Sequence, residues 1–169
     1  MGMCLALLWP SVVTADGAHF TSNGQTTLGK FDTRAVRLGD LDGDGDLDAF
    51  FANNGGNKIS RNIGGGMFQQ LGASYGSANT YDIALGDLDC DGDLDAFAAN
   101  EGSNALWMNN GSGSFTAPGG KSMGNSWSNG VALGDVDGDG DLDAFVANDG
   151  VNKVWFNNGA GSFSDSGQS

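Results

Sequence analysis

Short apolar runs alternate with polar, glycine-rich segments along most of the 169-residue chain. The clearest run, LDAFVAN at residues 142–148, places alternate residues on opposite faces of a strand. A run at Val131–Val136 precedes it, a third strand is predicted at Lys153–Asn157, and a fourth begins at Phe163. Turns rich in Gly, Asn and Asp separate these runs, and no long segment has the spacing of an amphipathic helix. The pattern predicts an all-β fold built from antiparallel strands.

The same pattern occurs three times. Three segments align without a gap: VRLGDLDGDGDLDAFFANNGGNKISRNIGGGMF, IALGDLDCDGDLDAFAANEGSNALWMNNGSGSF and VALGDVDGDGDLDAFVANDGVNKVWFNNGAGSF. Four antiparallel strands in each period of about 47 residues are typical of β-propeller blades. We therefore divide the mature chain into a partial blade strand (16–35), repeat 1 (36–82), repeat 2 (83–130) and repeat 3 (131–169), whose fourth strand is incomplete.

Most of the negative charge lies in three short loops. The net charge is −14, and 15 of the 21 acidic residues fall in these loops. Two carboxylates about 4 Å apart repel by about 4 kcal/mol at an effective dielectric constant near 20. Such a local concentration of charge indicates a bound cation. The absence of a basic patch from the sequence argues against a nucleic-acid partner.

Each loop has the order D-x-D-x-D-G-D-x-D, and we number its residues 1 to 9. Carboxylates at positions 1, 3 and 5 can converge on one point, and glycine at position 6 allows a sharp turn. Position 7 offers its backbone carbonyl, and position 9 closes an all-oxygen cage that suits Ca2+ better than Mg2+. Position 12 is not Glu and lies in a strand pattern, which excludes an EF-hand. The predicted ligands of three Ca2+ ions are Asp40, Asp42, Asp44, Asp46 and Asp48 in loop 1, Asp87, Asp89, Asp91, Asp93 and Asp95 in loop 2, and Asp135, Asp137, Asp139, Asp141 and Asp143 in loop 3.

The segment ALGDVDGDGDLDAF, followed by NNGAGSF, resembles the FG-GAP or VCBS repeat of integrin α-subunit propellers and many secreted bacterial proteins. The resemblance covers Val36 to about Phe163. It implies that each loop binds calcium and joins adjacent strands of a blade. The sequence departs from the family's pattern at two points: Cys90 replaces a glycine at position 4 of loop 2, and there are three units and part of a fourth instead of the usual seven blades.

Three blades would leave two apolar faces uncovered, and the sequence leaves two explanations open. The chain is a fragment of a larger secreted propeller protein, or copies of it assemble. His19–Thr26 resembles Ser162–Ser169, so a strand of one copy could complete a blade of another. Two copies would then close a six-bladed ring, whereas a rotation that does not close would give a filament.

Residues 1–15 are predicted to be a signal peptide. An apolar run at Met3–Val13 is followed by the small-residue pattern that ends at Ala15, and it is too short to span a membrane. The protein is therefore expected to be secreted or displayed at the cell surface. Cleavage would leave Cys90 as the single cysteine, so no intrachain disulfide is expected.

These features predict a calcium-stabilised extracellular module with a structural, adhesive or assembly role and a protein or glycan ligand. A lectin-like propeller is the alternative, with Trp107 and Trp155 as carbohydrate-binding residues, although aromatic side chains at repeated strand positions usually pack between blades. The single histidine, His19, lies outside the repeats, so we expect no catalytic triad and no enzyme activity. Asn110 begins an N-glycosylation sequon.

Overall fold

The computed structural model describes residues 31–118 and 123–168, and their regular structure is entirely β-strand. The strands are β1 (Thr33–Gly39), β2 (Asp48–Asn53), β3 (Lys58–Asn62), β4 (Phe68–Gln70), β5 (Thr80–Gly86), β6 (Asp95–Asn109), β7 (Phe115–Thr116), β8 (Met123–Gly134), β9 (Asp143–Asp149), β10 (Lys153–Phe156) and β11 (Ser164–Asp165). The predicted signal peptide and the segment His19–Thr26 lie outside the described residues. Among the residues that are described, no helix has the length and apolarity to cross a membrane.

The strands form three blades. In blade 1, β1, β2, β3 and β4 lie side by side in chain order, and each neighbouring pair is antiparallel. Blade 3 repeats this order with β8, β9, β10 and β11. The predicted all-β fold with four antiparallel strands in a blade is confirmed.

Blade 2 reaches the same arrangement with three named strands, because β6 contributes two of its four strands. The chain turns at Gly102, whose φ of 92° lies in the left-handed region that favours glycine. Residues 95–100 pair with β5, and residues 108–109 pair with β7. The two ends of β6 meet, since the Asn109 amide donates to Asp95 Oδ1 at 2.8 Å.

Hydrogen bonds between backbones join each blade to the next. The turn after β2 pairs with the segment that enters blade 2, where Asn57 and Tyr75 exchange two hydrogen bonds of 3.0 Å. The turn within β6 pairs in the same way with the start of β8, so blades 2 and 3 share one seven-stranded sheet. This pairing explains why β8 begins at Met123 and not at Val131, where the sequence pattern placed the strand.

The apolar core lies between the blades and not within a single blade. One cluster between blades 1 and 2 contains Phe50, Ile59 and Ile83, and a second between blades 2 and 3 contains Phe97 and Val146. Full burial of such a side chain stabilises the fold by about 1.5–3 kcal/mol. Each blade therefore depends on its neighbours for stability.

Candidate metal centres

Each aspartate loop connects the first strand of its blade to the second. Loop 1 (40–48) joins β1 to β2, loop 2 (87–95) joins β5 to β6, and loop 3 (135–143) joins β8 to β9. The glycines at position 6 have φ values of 90°, 95° and 97°, which a residue with a side chain rarely adopts. The sharp turn predicted at this position is confirmed in all three loops.

Three of the five aspartates in each loop come together. Carboxylate oxygens at positions 1, 3 and 9 all lie within 4.8 Å of one another. Three ionised carboxylates at this separation repel strongly, and a cation between them would remove that repulsion. We call these groups triads, and they are Asp40, Asp42 and Asp48 in loop 1, Asp87, Asp89 and Asp95 in loop 2, and Asp135, Asp137 and Asp143 in loop 3.

Positions 5 and 7 have a different role in the structure. The carboxylate at position 5 accepts a hydrogen bond from the amide of position 7, at 2.9 Å for Asp44 and Asp46. The same bond measures 3.0 Å in loops 2 and 3. The side chains at both positions lie outside the triads. The predicted role of position 5 requires its carboxylate, whereas that of position 7 requires only its backbone carbonyl.

Position 1 organises the backbone of the loop around its carboxylate. Asp40 accepts hydrogen bonds from the amides of Gly43 at 2.8 Å and Gly45 at 3.0 Å. Asp135 does the same in loop 3, at 2.7 and 3.2 Å. Because these bonds wrap the chain around one carboxylate, the other two carboxylates of the triad are brought toward it.

Position 9 anchors the triad to the buried part of the blade. Asp48, Asp95 and Asp143 are at most 1% exposed. Asp95 accepts hydrogen bonds from the amides of Leu88 at 2.9 Å and Asn109 at 2.8 Å, and both other loops repeat this pair of bonds. Asp95 therefore links its loop to the end of the third strand of the same blade.

Desolvation makes the carboxylates of Asp48, Asp89 and Asp95 harder to ionise when no cation is present. Loss of solvent raises the pKa of Asp48, although backbone hydrogen bonds oppose the shift. The same desolvation raises the pKa of Asp95 to about 6. Desolvation and neighbouring carboxylates likewise raise the pKa of Asp89. A divalent cation would favour the ionised form of each group and so reverse these shifts.

Loops 1 and 2 also contact the following blade. The Leu41 carbonyl, at position 2 of loop 1, accepts a hydrogen bond from Asn109 Nδ2 of blade 2 at 2.8 Å. The equivalent carbonyl of Leu88 accepts one from Asn157 Nδ2 of blade 3, also at 2.8 Å. The first two triads therefore lie at the junctions between blades. A cation bound there would affect how two neighbouring blades pack together.

Loop 1 pairs with a counter-ion from β3, Arg61, that the sequence analysis missed. Arg61 Nε lies 2.7 Å from Asp42 Oδ2, and Arg61 Nη2 donates to the Ser112 carbonyl of blade 2 at 3.0 Å. The equivalent residues in the other blades are Met108 and Phe156. The signal was present in the alignment, where one repeat has a cation and the other two have apolar residues. This guanidinium offsets part of the charge of the first triad.

The two tryptophans predicted to bind carbohydrate lie between blades. Trp155 is 8% exposed in the second cluster, and Trp107 packs against the first, edge-to-face with Tyr75 at 5.6 Å. A more exposed indole is that of Trp127, which is 46% exposed and lies 6.3 Å from the ring of Tyr81. Carbohydrate binding by Trp107 and Trp155 stays a prediction.

The predicted glycosylation sequon occupies an exposed turn of blade 2. Asn110 Oδ1 accepts hydrogen bonds from the Ser112 amide at 3.1 Å and the Ser112 hydroxyl at 2.7 Å. Its side chain is exposed to solvent. Glycosylation of Asn110 stays a prediction.

Comparisons with known proteins agree with this architecture. The profile of a family described as FG-GAP-like repeat matches residues 40–98, 87–146 and 135–169. Among solved structures, a lectin of Agrocybe aegerita, described by its specific recognition of non-reducing terminal N-acetylglucosamine, is similar at 25% identity and a TM-score of 0.55. That likeness covers 77% of this chain but 36% of the lectin chain, so this chain spans about a third of the lectin's length. Comparison with curated protein sequences gave no significant match.

Proposed function

Because the chain belongs to the FG-GAP-like repeat family, we propose that it is a calcium-binding repeat module of an extracellular protein. The observation that carries the proposal is the triad in each loop, with three carboxylates within 4.8 Å. Acidic turns that are merely solvated have no need to hold three carboxylates together at the same positions of three successive repeats.

The donor set favours calcium. Carboxylate and carbonyl oxygens are hard ligands, and Ca2+ accepts six to eight of them in flexible geometry, whereas Mg2+ retains waters and strict octahedral geometry. In loop 2 the triad side chains of Asp87, Asp89 and Asp95 would hold the ion. Asp91 and the backbone carbonyl of Asp93 would complete the set.

The role that we propose for calcium is structural. A site that is occupied at 100 times its Kd stabilises the folded state by about 2.7 kcal/mol. Three such sites would contribute about 8 kcal/mol, which is comparable to the whole stability of a typical domain. Calcium sites of extracellular modules are weak, with Kd values of about 10⁻⁴–10⁻³ M, so the full contribution requires calcium in large excess over Kd. We assign the chain no catalytic role, because its single histidine, His19, lies outside the repeats.

Thermal unfolding of the full chain in calcium, in magnesium and in chelator tests this function. We expect calcium to raise Tm well above the value in chelator, and magnesium to raise it much less. Two matched triple variants each remove three loop charges: Asp48→Asn, Asp95→Asn and Asp143→Asn at position 9, and Asp46→Asn, Asp93→Asn and Asp141→Asn at position 7. The first should lose the response to calcium, and the second should retain it because its backbone carbonyls remain. Equal responses in both variants, or no response in the wild type, would overturn the proposal.

The similarity to a lectin favours glycan binding as a second candidate function. Trp127 offers an exposed indole beside Tyr81, and the guanidinium of Arg34 lies 3.8 Å from the centre of the Tyr81 ring. Exposed aromatic faces of this kind stack well on sugar rings. Titration with N-acetylglucosamine oligomers should show binding that Trp127→Ala abolishes and Ile63→Ala, a change at another exposed apolar residue, leaves intact. Absence of binding to the wild-type chain would exclude this candidate for these sugars.

A further inference from the structure

The two interfaces inside the chain use equivalent residues. We call the side of a blade that faces the following blade its trailing face, and the side that faces the preceding blade its leading face. Phe50 on the trailing face of blade 1 and Phe97 on that of blade 2 are both 0% exposed. Each is covered by the leading face of the next blade, with Ala98 packed in the first interface and its equivalent Val146 in the second.

The trailing face of blade 3 has equivalent apolar residues, but it is open. Phe145 is equivalent to Phe50 and Phe97, yet it is 46% exposed. Val136 is 51% exposed, whereas the leucines at this position in the other two blades are at most 1% exposed. In the part of the chain that the structure describes, no following blade covers this face.

A glycine marks where the next blade would fit. A Cβ placed on Gly39 of blade 1 would lie 2.8 Å from Leu94 Cδ1 of blade 2, and one on Gly86 would lie 2.8 Å from Leu142 Cδ1 of blade 3. Both glycines therefore leave room for a leucine of the following blade. The equivalent Gly134 of blade 3 has no atom within 4 Å of the same position, so its space for a leucine is unfilled.

The leading face of blade 1 carries the matching side chains. Val36, Leu38 and Leu47 are 45%, 58% and 43% exposed. The equivalents of Leu47 are Leu94 and Leu142, which are the leucines that sit on the glycines of the two internal interfaces. The open leading face therefore offers the leucine for which the open trailing face has space.

A polar contact is matched as well. At the first junction, Asn109 Nδ2 donates to the Leu41 carbonyl at 2.8 Å, and the second junction repeats this bond at the same length. At the open faces the equivalent donor is Asn62 of blade 1, and the equivalent acceptor is the Val136 carbonyl of blade 3. The hydrogen bond that accompanies apolar packing in both internal interfaces thus has its two partners available.

We propose that copies of this chain associate head to tail, with the trailing face of blade 3 in one copy packed against the leading face of blade 1 in the next. The occupant is a second copy because the two open faces are the two halves of an interface that the chain already forms twice. The contact joins different surfaces, so two copies close a ring if the rotation fits and otherwise continue as a filament. The proposal does not depend on calcium binding by the loops.

Sedimentation of the full chain over a range of concentrations, with single-face variants, tests the contact. The wild type should form species of at least twice its 17.2 kDa mass. Leu38→Glu damages the leading face alone and Phe145→Glu the trailing face alone, so each variant by itself should remain a monomer. A mixture of the two variants retains one intact face of each kind. It should form a species of two chains, with one chain of each variant.

The control variant is Ile63→Glu, because Ile63 is 53% exposed and the equivalent residues in both other blades are exposed too. It should assemble like the wild type, and circular dichroism should show that all variants are folded. A wild type that stays monomeric at every concentration would overturn the proposal, since other parts of the chain or of a longer protein would then cover these faces. Two further results would contradict it: assembly of Leu38→Glu alone or Phe145→Glu alone like the wild type, and a mixture of these two variants that fails to restore association.

Discussion

Replacing Asp95 by asparagine should change stability in opposite directions with and without calcium. Asp95 is fully buried, belongs to the triad of loop 2, and accepts two backbone hydrogen bonds. Its carboxylate therefore destabilises the folded state when no cation is present and stabilises it when a cation is bound. The substitution separates these two effects because it removes the charge and nearly preserves the shape.

The cost without calcium follows from the pKa. Burial raises the pKa of Asp95 to about 6 from the ordinary 3.8, and a difference of about two units corresponds to about 3 kcal/mol. The unfolded chain releases this proton near pH 3.8 and the folded chain near pH 6. Asp95 therefore lowers the free energy of unfolding progressively between these values and in full at neutral pH. Asparagine removes this cost, but its amide group faces a backbone N–H, which costs about 1–3 kcal/mol. In chelator we expect Asp95→Asn to be more stable than wild type by about 0–2 kcal/mol.

Calcium should reverse the order. At 100 times its Kd, calcium stabilises the wild type by about 2.7 kcal/mol per site, and the variant loses this contribution from loop 2. Asp95→Asn should then be less stable than the wild type by about 1–3 kcal/mol. Urea unfolding at neutral pH in calcium and in chelator measures both differences.

Asp93→Asn is the matched control for this prediction. It removes a charge from the same loop, but the expected contribution of Asp93 to the site is its backbone carbonyl, which remains. The control should keep the full stabilisation by calcium. Two results would show that Asp95 does not hold calcium: a shift in stability for Asp95→Asn that has the same direction and size in both buffers, or a loss of stabilisation by calcium in Asp93→Asn as large as that in Asp95→Asn.

Three further predictions concern single residues. Arg61→Met removes the guanidinium that competes for Asp42, so calorimetric titration should show several-fold tighter calcium binding at one site; unchanged affinities would rule out this competition. Cys90 has a φ of 62°, a strained backbone conformation for a residue with a side chain, at a position where the other loops have glycine. Cys90→Gly should therefore raise the free energy of unfolding by about 1 kcal/mol, measured by urea unfolding. A decrease would show that Cys90 is not strained. Phe97→Ala should lower the free energy of unfolding in urea by about 3–5 kcal/mol. Phe145→Ala, measured at a protein concentration too low for association, should lower it by about 1 kcal/mol. Equal decreases would mean that Phe145 is covered within the chain.

The strands, the repeats and the loop geometry were predictable because their determinants are local. Alternation along β9 places Ala144 and Val146 on one face of the strand and Phe145 on the other, as the period of two requires. The positive φ of the glycine at position 6 likewise follows from six adjacent residues. The family resemblance implied that the loops join adjacent strands of a blade, and the structure confirms this connection.

The remaining features depend on contacts between residues far apart in sequence. The pairing of Arg61 with Asp42 requires the end of β3 to lie beside the first loop, which no local spacing reveals. The early start of β8 requires the turn within β6 as its pairing partner. Strand periodicity assigns Phe145 to a face, but only the arrangement of blades shows that this face is open whereas the faces of its equivalents are covered.

If each of the three aspartate loops holds one calcium ion, the full chain binds three ions, and this number can be counted. Isothermal titration of the metal-free full chain should give three calcium ions per chain. The variant with Asp48→Asn, Asp95→Asn and Asp143→Asn should show no such binding. Absence of calcium binding to the wild type, or a stoichiometry that this variant leaves unchanged, would show that the triads do not hold calcium.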